Sequence, residues 1–341
     1  MKLHALAALL VALASPVSAA SADEPLRIAV LSDIHIYPNG KITPEFIKLA
    51  QRLVELKPDA VVITGDSTNG NPGDKVTAGR VKMWWKRLRV AISPLVEAHI
   101  PVLPAPGNHD TYREVHRRGY ADAFQDLETI AAPWVIHDGR KPFFYSADLG
   151  GTHLSLLNIV DQELPAETRA WLTKDLKRAA DADIRLAFGH VPMESKMARP
   201  SREFIEKFGP VLADGKVAAY VCGHEHLVWD EDVKLADKRR VRQIIVGTAS
   251  FGYSKKTAFA YKDCYNFPIS GATYKHACGR KGEPLVCTMP NGGYSFRLVS
   301  EKLYKEERTP AFMLLEVSGK HFEARPQWLN PGSGRIESFA E

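Results

Sequence analysis

Gly107-Asn108-His109-Asp110 directly follows the apolar run Ile100 to Pro106, and the rest of the chain is organised around this tetrapeptide. The apolar run predicts a buried strand, so the tetrapeptide places an amide oxygen, an imidazole and a carboxylate on one turn at a strand end. Polar residues at a strand end often only close a turn. The tetrapeptide alone is therefore a weak indication of function.

Four further polar patches also directly follow predicted strands. They are Asp33-Ile34-His35, Gly65-Asp66, Gly189-His190 and Gly223-His224-Glu225-His226. Open α/β sheets bind ligands at the carboxyl ends of their strands, so we expect the patches to meet at one edge. They offer carboxylate, imidazole and amide oxygen atoms and no thiolate, which suits Mn, Fe, Zn or Mg rather than a soft metal.

Two of these patches have a spacing that predicts where their side chains point. Side chains alternate along an extended segment, so Asp33 and His35 would share one side, and so would His224 and His226. Glu225 would then point away from both histidines, toward substrate or solvent.

Strand and helix patterns alternate along most of the chain. Buried strands are predicted at Arg27–Ser32, Ala60–Thr64, Ile184–Phe188, Val217–Cys222 and Val241–Val246, with a hairpin over 143–159. Helices are predicted from Pro44 to about Leu56, from Arg80 to about Ser93, over Pro165–Ala180 and over Ser201–Leu212. Pro94 is expected to end or kink the second helix. The alternation predicts an α/β sandwich of mixed sheets flanked by helices.

The composition changes from about Lys255 onward, where Gly, Tyr, Lys and Pro become frequent. Short strands are predicted there at Tyr294–Val299, Ala311–Val317 and His321–Arg325. We therefore divide the chain into a signal segment over 1–22, an α/β domain over 23–255 and a small β-rich C-terminal appendage over 256–341.

The first residues have the three features of a secretory signal peptide. Lys2 supplies the charge, Leu6 to Leu13 is a short apolar run, and Val17-Ser18-Ala19 and Ala20-Ser21-Ala22 are small-residue cleavage sites. The alternative is a buried N-terminal helix. No later stretch is long and apolar enough for a transmembrane helix. We expect a soluble periplasmic or extracellular protein once the signal peptide is cleaved.

Export permits disulfides, and the chain has four cysteines. Cys222 lies in a predicted strand and is expected to be a buried small apolar residue. Cys264, Cys278 and Cys287 are close together in the late segment, where one disulfide or free thiols are the two interpretations. The spacing leaves the pairing open.

Net charge restricts the class of partner only slightly. The chain has 45 Lys and Arg against 40 Asp and Glu, a mild excess that does not by itself indicate a nucleic-acid partner. The basic side chains of the predicted second helix are interpreted as a solvated face. Six further histidines lack a strand-end context and are interpreted as structural: His99, His116, His137, His153, His276 and His321.

The five patches, in this order, closely resemble the motifs of the calcineurin-like metallophosphoesterase superfamily. The resemblance extends over roughly 27–251, and Cys287 to Phe296 is loosely similar to a C-terminal module of secreted bacterial members. It implies two divalent metal ions that activate a bridging hydroxide for attack on phosphorus. The implied ligands are Asp33, His35 and His226 for one ion, Asn108, His190 and His224 for the other, and Asp66 as the bridge.

The resemblance also implies roles for the two residues that follow Asn108. His109 would assist the leaving oxygen, and Asp110 would orient the His109 ring. Purple acid phosphatases of this superfamily carry a tyrosine ligand where this chain has Asn69, and their first motif lacks a histidine like His35. An iron–tyrosinate centre is therefore not expected.

The implied activity is hydrolysis of phosphate mono- or diesters. The sequence leaves open which ester, which metal and which oligomeric state. One alternative is a nucleotide-directed phosphohydrolase, that is, a cyclic-nucleotide phosphodiesterase or a nucleotidase, since aromatic residues near the site can stack on a base. These residues are Tyr37, Trp84, Trp85, Tyr112, Phe251 and Tyr253. A second alternative is a non-catalytic scaffold, which would be expected to lack some ligands.

Overall fold

The computed structural model describes residues 24–71, 73, 75–195, 200–226, 228–250, 310–330 and 333–338, together with the backbone of four short strands between 266 and 298. The signal segment, Cys264, Cys278 and the side chain of Cys287 lie outside the described residues. Among the described residues, no helix is both long and apolar enough to span a bilayer.

Seven helices and seventeen strands are described. The helices are α1 (Pro44–Leu56), α2 (Ala78–Glu97), α3 (Asn108–Thr111), α4 (Glu114–Ala123), α5 (Leu127–Ile130), α6 (Ala166–Arg178) and α7 (Arg202–Asp214). The first ten strands are β1 (Leu26–Leu31), β2 (Ala60–Thr64), β3 (Val102–Ala105), β4 (Val135–Arg140), β5 (Phe144–Leu149), β6 (Thr152–Leu156), β7 (Ile184–Phe188), β8 (Ala219–Cys222), β9 (Val228–Lys234) and β10 (Arg240–Val246). The others are β11 (Asn266–Ile269), β12 (Ala272–Lys275), β13 (Leu285–Cys287), β14 (Phe296–Leu298), β15 (Ala311–Ser318), β16 (His321–Leu329) and β17 (Ile336–Ser338).

Two mixed sheets form the centre of the molecule. The first has the strand order β17-β16-β15-β1-β2-β3, and the second has the order β4-β5-β6-β7-β8-β10-β9. Their inner faces share one apolar cluster, in which Val30 and Val62 of the first sheet meet Leu154 and Val221 of the second. Helices α1 and α2 cover the outer face of the first sheet, and α6 and α7 cover that of the second. The predicted α/β sandwich of mixed sheets is thereby confirmed.

Helix α1 begins at Pro44, as predicted. The Thr43 hydroxyl accepts a hydrogen bond from the Phe46 backbone N–H at 3.3 Å, and Pro44 is the first helical residue. Pro94 does not end α2, which was one of the two effects expected of it, since the helix continues to Glu97. Pro94 leaves the carbonyl of Val90 without its helical donor, and Val90 is exposed on the solvent side, where water can satisfy that carbonyl.

The last strands do not form a separate appendage in this structure. Strand β15 pairs antiparallel with β1, with Leu26 opposite Val317, and β16 and β17 extend the same sheet. Met313 of β15 packs in the cluster between the sheets, and Phe312 packs on the helix side. A strand covered on both faces has a near-continuous apolar run, and the run from Ala311 to Leu315 is such a signal.

Candidate metal centre

All five sequence motifs lie at carboxyl ends of strands, and the two sheets bring these ends together. The motifs follow β1, β2 and β3 in the first sheet and β7 and β8 in the second. Potential ligand atoms from the motifs approach one another in three overlapping groups, within 4.8 Å in each group. The seven predicted ligands therefore form one cluster: Asp33, His35, Asp66, Asn108, His190, His224 and His226.

The first group consists of Asp33, His35 and His226, which are all buried. Nε2 of His226 lies 3.0 Å from Oδ1 of Asp33 and 3.2 Å from Nε2 of His35. The His35 Nε2 atom is also 3.5 Å from Oδ1 of Asp33. Three potential ligand atoms thus point into one small buried volume.

The second group consists of Asp66, His190 and His224, with Asn108 beside it. Nε2 of His190 lies 3.1 Å from Oδ2 of Asp66 and 3.3 Å from Nδ1 of His224. Nδ1 of His224 is 3.1 Å from Oδ1 of Asn108. His224 is exposed, so this group opens to solvent, whereas the first group does not.

Asp66 lies between the two groups. Its Oδ2 atom is 3.7 Å from Nε2 of His35 in the first group and 3.1 Å from Nε2 of His190 in the second. Its Oδ1 atom accepts a hydrogen bond from the backbone N–H of His109 at 2.9 Å, which fixes the carboxylate. The position is that of a carboxylate shared between two neighbouring sites.

The backbone at the cluster is left-handed at five positions. The φ angles are 56° at Asp33, 49° at His35, 50° at Asp66, 69° at His224 and 55° at His226. The expectation that Asp33–His35 and His224–His226 are extended is wrong, and their side chains converge because the chain turns sharply after each strand. Asp and His tolerate this conformation better than most residues, but it still costs free energy, and such strain is concentrated at functional sites.

Two glycines permit the close approach of the ligand loops. A Cβ atom on Gly65, where φ is 99°, would lie 2.7 Å from the Gly107 backbone and 2.7 Å from Nδ1 of His190. A Cβ atom on Gly107 would lie 2.2 Å from both the backbone nitrogen and Oδ1 of Asp66. The loops after β2 and β3 can therefore touch only because both residues lack a side chain.

Electrostatics keep Asp33 and His224 in forms that bind cations, whereas His190 holds a proton that a metal ion would displace. Burial, the largest influence, would raise the pKa of Asp33, but three neighbouring imidazoles, led by His226, hold it well below its usual range. Burial would lower the pKa of His190, but Asp66 and then Asp33 raise it to about 9. Although His224 is exposed overall, burial of its ring and the adjacent His190 lower its pKa to about 4. Ionised carboxylates and a neutral imidazole are the forms that coordinate metals.

Two observations show that these residues fit divalent metal ions. Oδ1 of Asp33 is buried and accepts no hydrogen bond, although Nε2 of His226 is 3.0 Å away. His190 donates its Nδ1–H to the Thr64 carbonyl at 2.9 Å, so its Nε2 lone pair faces Oδ2 of Asp66 at 3.1 Å. Two acceptors at that distance require a cation between them, which is either a proton or a metal ion.

His109 lies beside the cluster, and its orientation has a different cause from the predicted one. Its Nδ1–H donates to the backbone carbonyl of Asn69, and its Nε2 lies 3.8 Å from Oδ2 of Asp66. The expected contact from Asp110 to the His109 ring is wrong. A carbonyl only accepts hydrogen bonds, so Asn69 fixes the proton on Nδ1 and turns Nε2 toward the cluster.

Asp110 instead joins the two loops that carry Asp66 and Asn108. Its Oδ2 accepts from the backbone N–H groups of Ser67 and Gly107, each at 3.1 Å. Its Oδ1 accepts from the Thr68 backbone N–H at 2.9 Å and the Thr68 hydroxyl at 3.0 Å. Complete burial, the largest cause, and the neighbouring Asp66 raise its pKa to about 6. Asp110 is therefore a buried clamp behind the predicted ligands.

Glu225 points away from the two flanking histidines, but it points into the protein. It is 5% exposed and accepts a hydrogen bond from the Ser195 hydroxyl, so it ties the loop after β8 to the loop after β7.

The aromatic residues predicted near the site separate into two classes. Trp84 and Trp85 are buried in the core, whereas Tyr112 is partly exposed beside His109; Phe251 and Tyr253 lie outside the described residues.

A family model described as calcineurin-like phosphoesterase matches residues 26–228. This match covers more than half of the chain and contains all five motifs. The chain belongs to the calcineurin-like phosphoesterase family. The family match ends at the start of β9, so the strands from β10 onward lie beyond it.

Similar proteins include phosphatases. Mouse tartrate-resistant acid phosphatase type 5 is 35% identical over 83 residues, which is 24% of this chain and 24% of that protein. The alignment thus spans about a quarter of this curated relative. Yellow lupin purple acid phosphatase PPD1 superposes with a TM-score of 0.54 at 12% identity, over 92% of this chain and 52% of that one. A dimetal phosphatase from Danio rerio gives 0.50 at 11% identity, over 93% and 99% of the two chains. At such identities these structures establish the fold alone.

Two features of this family member were not predicted from its sequence. The carbonyl of Asn69 and the hydroxyl of Thr68 hold His109 and Asp110 in place, and both belong to the loop after Asp66. The composition Asn69-Gly70 indicated only a loop, because a backbone carbonyl leaves no trace in side-chain identity. Gly70, with φ 56°, allows that loop to lie against His109.

Proposed function

We propose that this protein is a metal-dependent phosphoesterase that uses two divalent ions to hydrolyse phosphate mono- or diesters. The observation that carries the proposal is the pair of adjacent ligand groups with Asp66 between them, at one edge of a calcineurin-like phosphoesterase fold. Two adjacent metal sites that share a carboxylate are a common arrangement in enzymes that cleave phosphate esters.

The ligand assignment follows the two groups. Asp33, His35 and His226 would hold one ion, and Asn108, His190 and His224 would hold the other, with Asp66 shared between them. When bound, such ions supply Lewis-acid activation of the phosphoryl group and of the attacking water. The hard and borderline ligand set accepts Mn, Fe, Zn or Mg.

His109 is the residue proposed to move a proton. The carbonyl of Asn69 keeps the Nδ1 proton in place, so the imidazolium form of His109 carries its second proton on Nε2, and Nε2 gives that proton to the leaving oxygen. The Nε2 atom faces the cluster, and the His109 side chain is 20% exposed, so an ester that enters from solvent can reach it. Asp110 acts at one remove, since its four hydrogen bonds position the loops that carry Asp66, Asn108 and His109.

The test is hydrolysis of 4-nitrophenyl phosphate and bis(4-nitrophenyl) phosphate with Mn²⁺, repeated after chelation and with Asn108→Ala. We expect activity that is lost in both treatments, and Asn39→Ala, at an exposed asparagine, serves as the matched control that keeps it. The ratio of the two rates gives the ester preference. A folded, metal-loaded wild-type protein with no activity on either ester would contradict the proposal and leave the scaffold alternative.

A nucleotide-directed phosphohydrolase is the second candidate. The observation in its favour is Tyr112, whose ring lies beside His109 with a centroid distance of 4.9 Å and is partly exposed. A base could stack on this ring. Rates with 5′-nucleoside monophosphates and cyclic nucleotides that exceed those with nitrophenyl esters by about tenfold would favour this candidate, since that ratio corresponds to 1.4 kcal/mol of transition-state stabilisation.

We also infer export of the protein, on the sequence features of residues 1–22 alone. Cleavage after Ala19 or Ala22 would release the chain from which the fold is built. N-terminal sequencing of protein from the extracellular or periplasmic fraction tests this inference. An intact Met1 on protein recovered from the cytoplasm would contradict it.

A further inference from the structure

The ligand cluster has a buried floor and an open rim. Asp33, His35, Asp66 and His190 are at most 1% exposed. Asn108, His109, Tyr112 and His224 are partly or fully exposed and surround the same atoms. An ester must therefore approach from the rim, and the hydroxyl of Tyr112 is a rim group to which no role has been assigned.

The ring of Tyr112 is held on three sides. It lies 4.9 Å from the His109 ring and 6.0 Å from the His116 ring, measured between centroids. The position that a Cβ of Gly70 would occupy is 3.1 Å from the ring carbons Cδ2 and Cε2. A ring confined in this way presents its hydroxyl in one direction, which reduces the entropy lost when that hydroxyl binds a ligand.

The hydroxyl end of Tyr112 lies near the side chain of Asn108, which can donate a hydrogen bond to it. Oδ1 of Asn108 faces the cluster, 3.1 Å from Nδ1 of His224, so the amide nitrogen faces the other way. An amide nitrogen only donates, and the Tyr112 oxygen is therefore the acceptor in this hydrogen bond. The phenol proton stays available to a second partner.

We propose that Tyr112 is a catalytic residue whose phenol donates this proton in a hydrogen bond to a phosphoryl oxygen of the bound ester. The inference rests on the proposed function, because it needs an ester at the cluster. The acceptor is a non-bridging oxygen, on which negative charge grows in the transition state. A donor placed at such an oxygen favours the transition state over the ground state.

The test compares Tyr112→Phe with the wild type on 4-nitrophenyl phosphate at saturating Mn²⁺. We expect kcat/KM to fall by about 10- to 100-fold, somewhat less than for one oxyanion-hole donor, because the rim is open to water. Binding of inorganic phosphate to the Mn²⁺-loaded protein, measured by calorimetry, should weaken in the same variant. The matched control is Tyr145→Phe, which removes a buried hydroxyl that donates to Pro104 at 2.9 Å; it should lower the melting temperature and leave kcat/KM unchanged.

The affinity for Mn²⁺ distinguishes a direct contact of Tyr112 with the substrate from an indirect effect of Tyr112 on the predicted metal ligand Asn108. We expect the Kd of Mn²⁺ to change by less than about threefold in Tyr112→Phe, because the phenol is not a ligand. Two outcomes would overturn the inference. In the first, Tyr112→Phe binds Mn²⁺ more weakly and excess Mn²⁺ restores its kcat/KM. In the second, kcat/KM of Tyr112→Phe is the same as that of the wild type. A wild-type protein that hydrolyses no ester would remove the proposed function itself, whereas either of the other outcomes removes only the role of Tyr112.

Discussion

Two histidine–aspartate clusters in this protein use the same residue types for different ends. In the second sheet, His153 lies between two carboxylates, 2.5 Å from Oδ1 of Asp148 and 2.9 Å from Oδ2 of Asp175. The other Asp175 oxygen accepts from the Ser146 hydroxyl at 2.7 Å and from Arg178 at 2.9 Å. These residues lie on regular strands and a helix, and their hydrogen bonds are satisfied within the group.

The ligand cluster differs in both respects. Oδ1 of Asp33 is buried without a hydrogen bond, and Nε2 atoms of His35 and His226 face each other at 3.2 Å. Five of its residues occupy left-handed backbone, which costs about 1–3 kcal/mol at each strained position. The comparison teaches that His and Asp do not by themselves indicate a metal site. Convergent acceptors on strained backbone are a stronger indication, because a bound cation would offset the cost of burying those acceptors without hydrogen bonds.

The largest expected difference is between deleting one carboxylate in each cluster. Asp66→Ala removes the oxygen between both ligand groups, and we expect kcat to fall by more than about 10³-fold. Asp175→Ala should leave kcat of the folded protein within about twofold, because it lies outside the ligand groups. Steady-state rates at saturating Mn²⁺ measure both variants. Equal losses would remove the distinction between the clusters.

The free energy of unfolding should show the opposite order, with the larger loss in the cluster around His153. Asp175→Asn leaves Arg178 and His153 facing an amide, and breaking a buried ion pair costs about 3 kcal/mol or more of unfolding free energy. Asp33→Asn, in the chelated protein, should cost less, because the imidazoles beside Asp33 can lose their protons, whereas Arg178 beside Asp175 stays charged. Urea unfolding of the two variants, with matched m-values, compares these losses. A greater loss for Asp33→Asn would contradict the assignment of the cluster around His153 as structural.

Asp110 combines features of both clusters, since its hydrogen bonds are satisfied but it lies directly behind the ligands. Asp110→Asn places an amide nitrogen against backbone donors, so the loops of Asp66 and Asn108 should separate. We expect Mn²⁺ affinity to fall by about 10- to 100-fold, as for other residues that orient metal ligands. Thr68→Val removes only one of the four hydrogen bonds and is the graded control. Metal affinity that is unchanged in Asp110→Asn would refute its role as a clamp.

The smallest expected effect is on how steeply the free energy of unfolding falls at acid pH. Burial would raise the pKa of Asp175, but His153, Ser146 and Arg178 together hold it below its ordinary value of 3.8. A carboxyl with a lowered folded-state pKa contributes stability that is complete above the unfolded pKa and is lost as pH falls through the folded pKa. The free energy of unfolding of chelated protein should therefore drop below about pH 4, less steeply in Asp175→Asn. Identical slopes in the two proteins would contradict this sign.

The fold could largely be predicted because its signals are local. Buried strands such as Ala60–Thr64 and Ile184–Phe188 are short apolar runs, and α1 has both a capping threonine and a first-turn proline. The position of β15 beside β1 could not be predicted in this way. Pairing between strands about 285 residues apart depends on the whole sandwich, and local periodicity carries no information on it.

The residues of the strand-end cluster could be predicted for a similar reason, and their geometry could not. Strand-end context identified Asp33, His190 and the others, because carboxyl ends of neighbouring strands meet at one edge. Alternation gave the wrong conformation for Asp33-Ile34-His35, since a turn in left-handed backbone follows β1. The partner of His109 was missed because it is a backbone carbonyl, a group that every residue has.

Calorimetric titration of Mn²⁺ into chelator-treated protein shows whether the strand-end cluster binds metal ions. We expect about two equivalents to bind to the wild type. Fewer equivalents of Mn²⁺ should bind to His226→Ala. The full two equivalents should bind to His137→Ala, since His137 is a partly exposed histidine whose Nε2 is 2.7 Å from Asp148 in the cluster around His153. Binding of no metal by the folded wild type, or equal binding by the wild type and His226→Ala, would contradict the claim that the strand-end cluster is a metal centre.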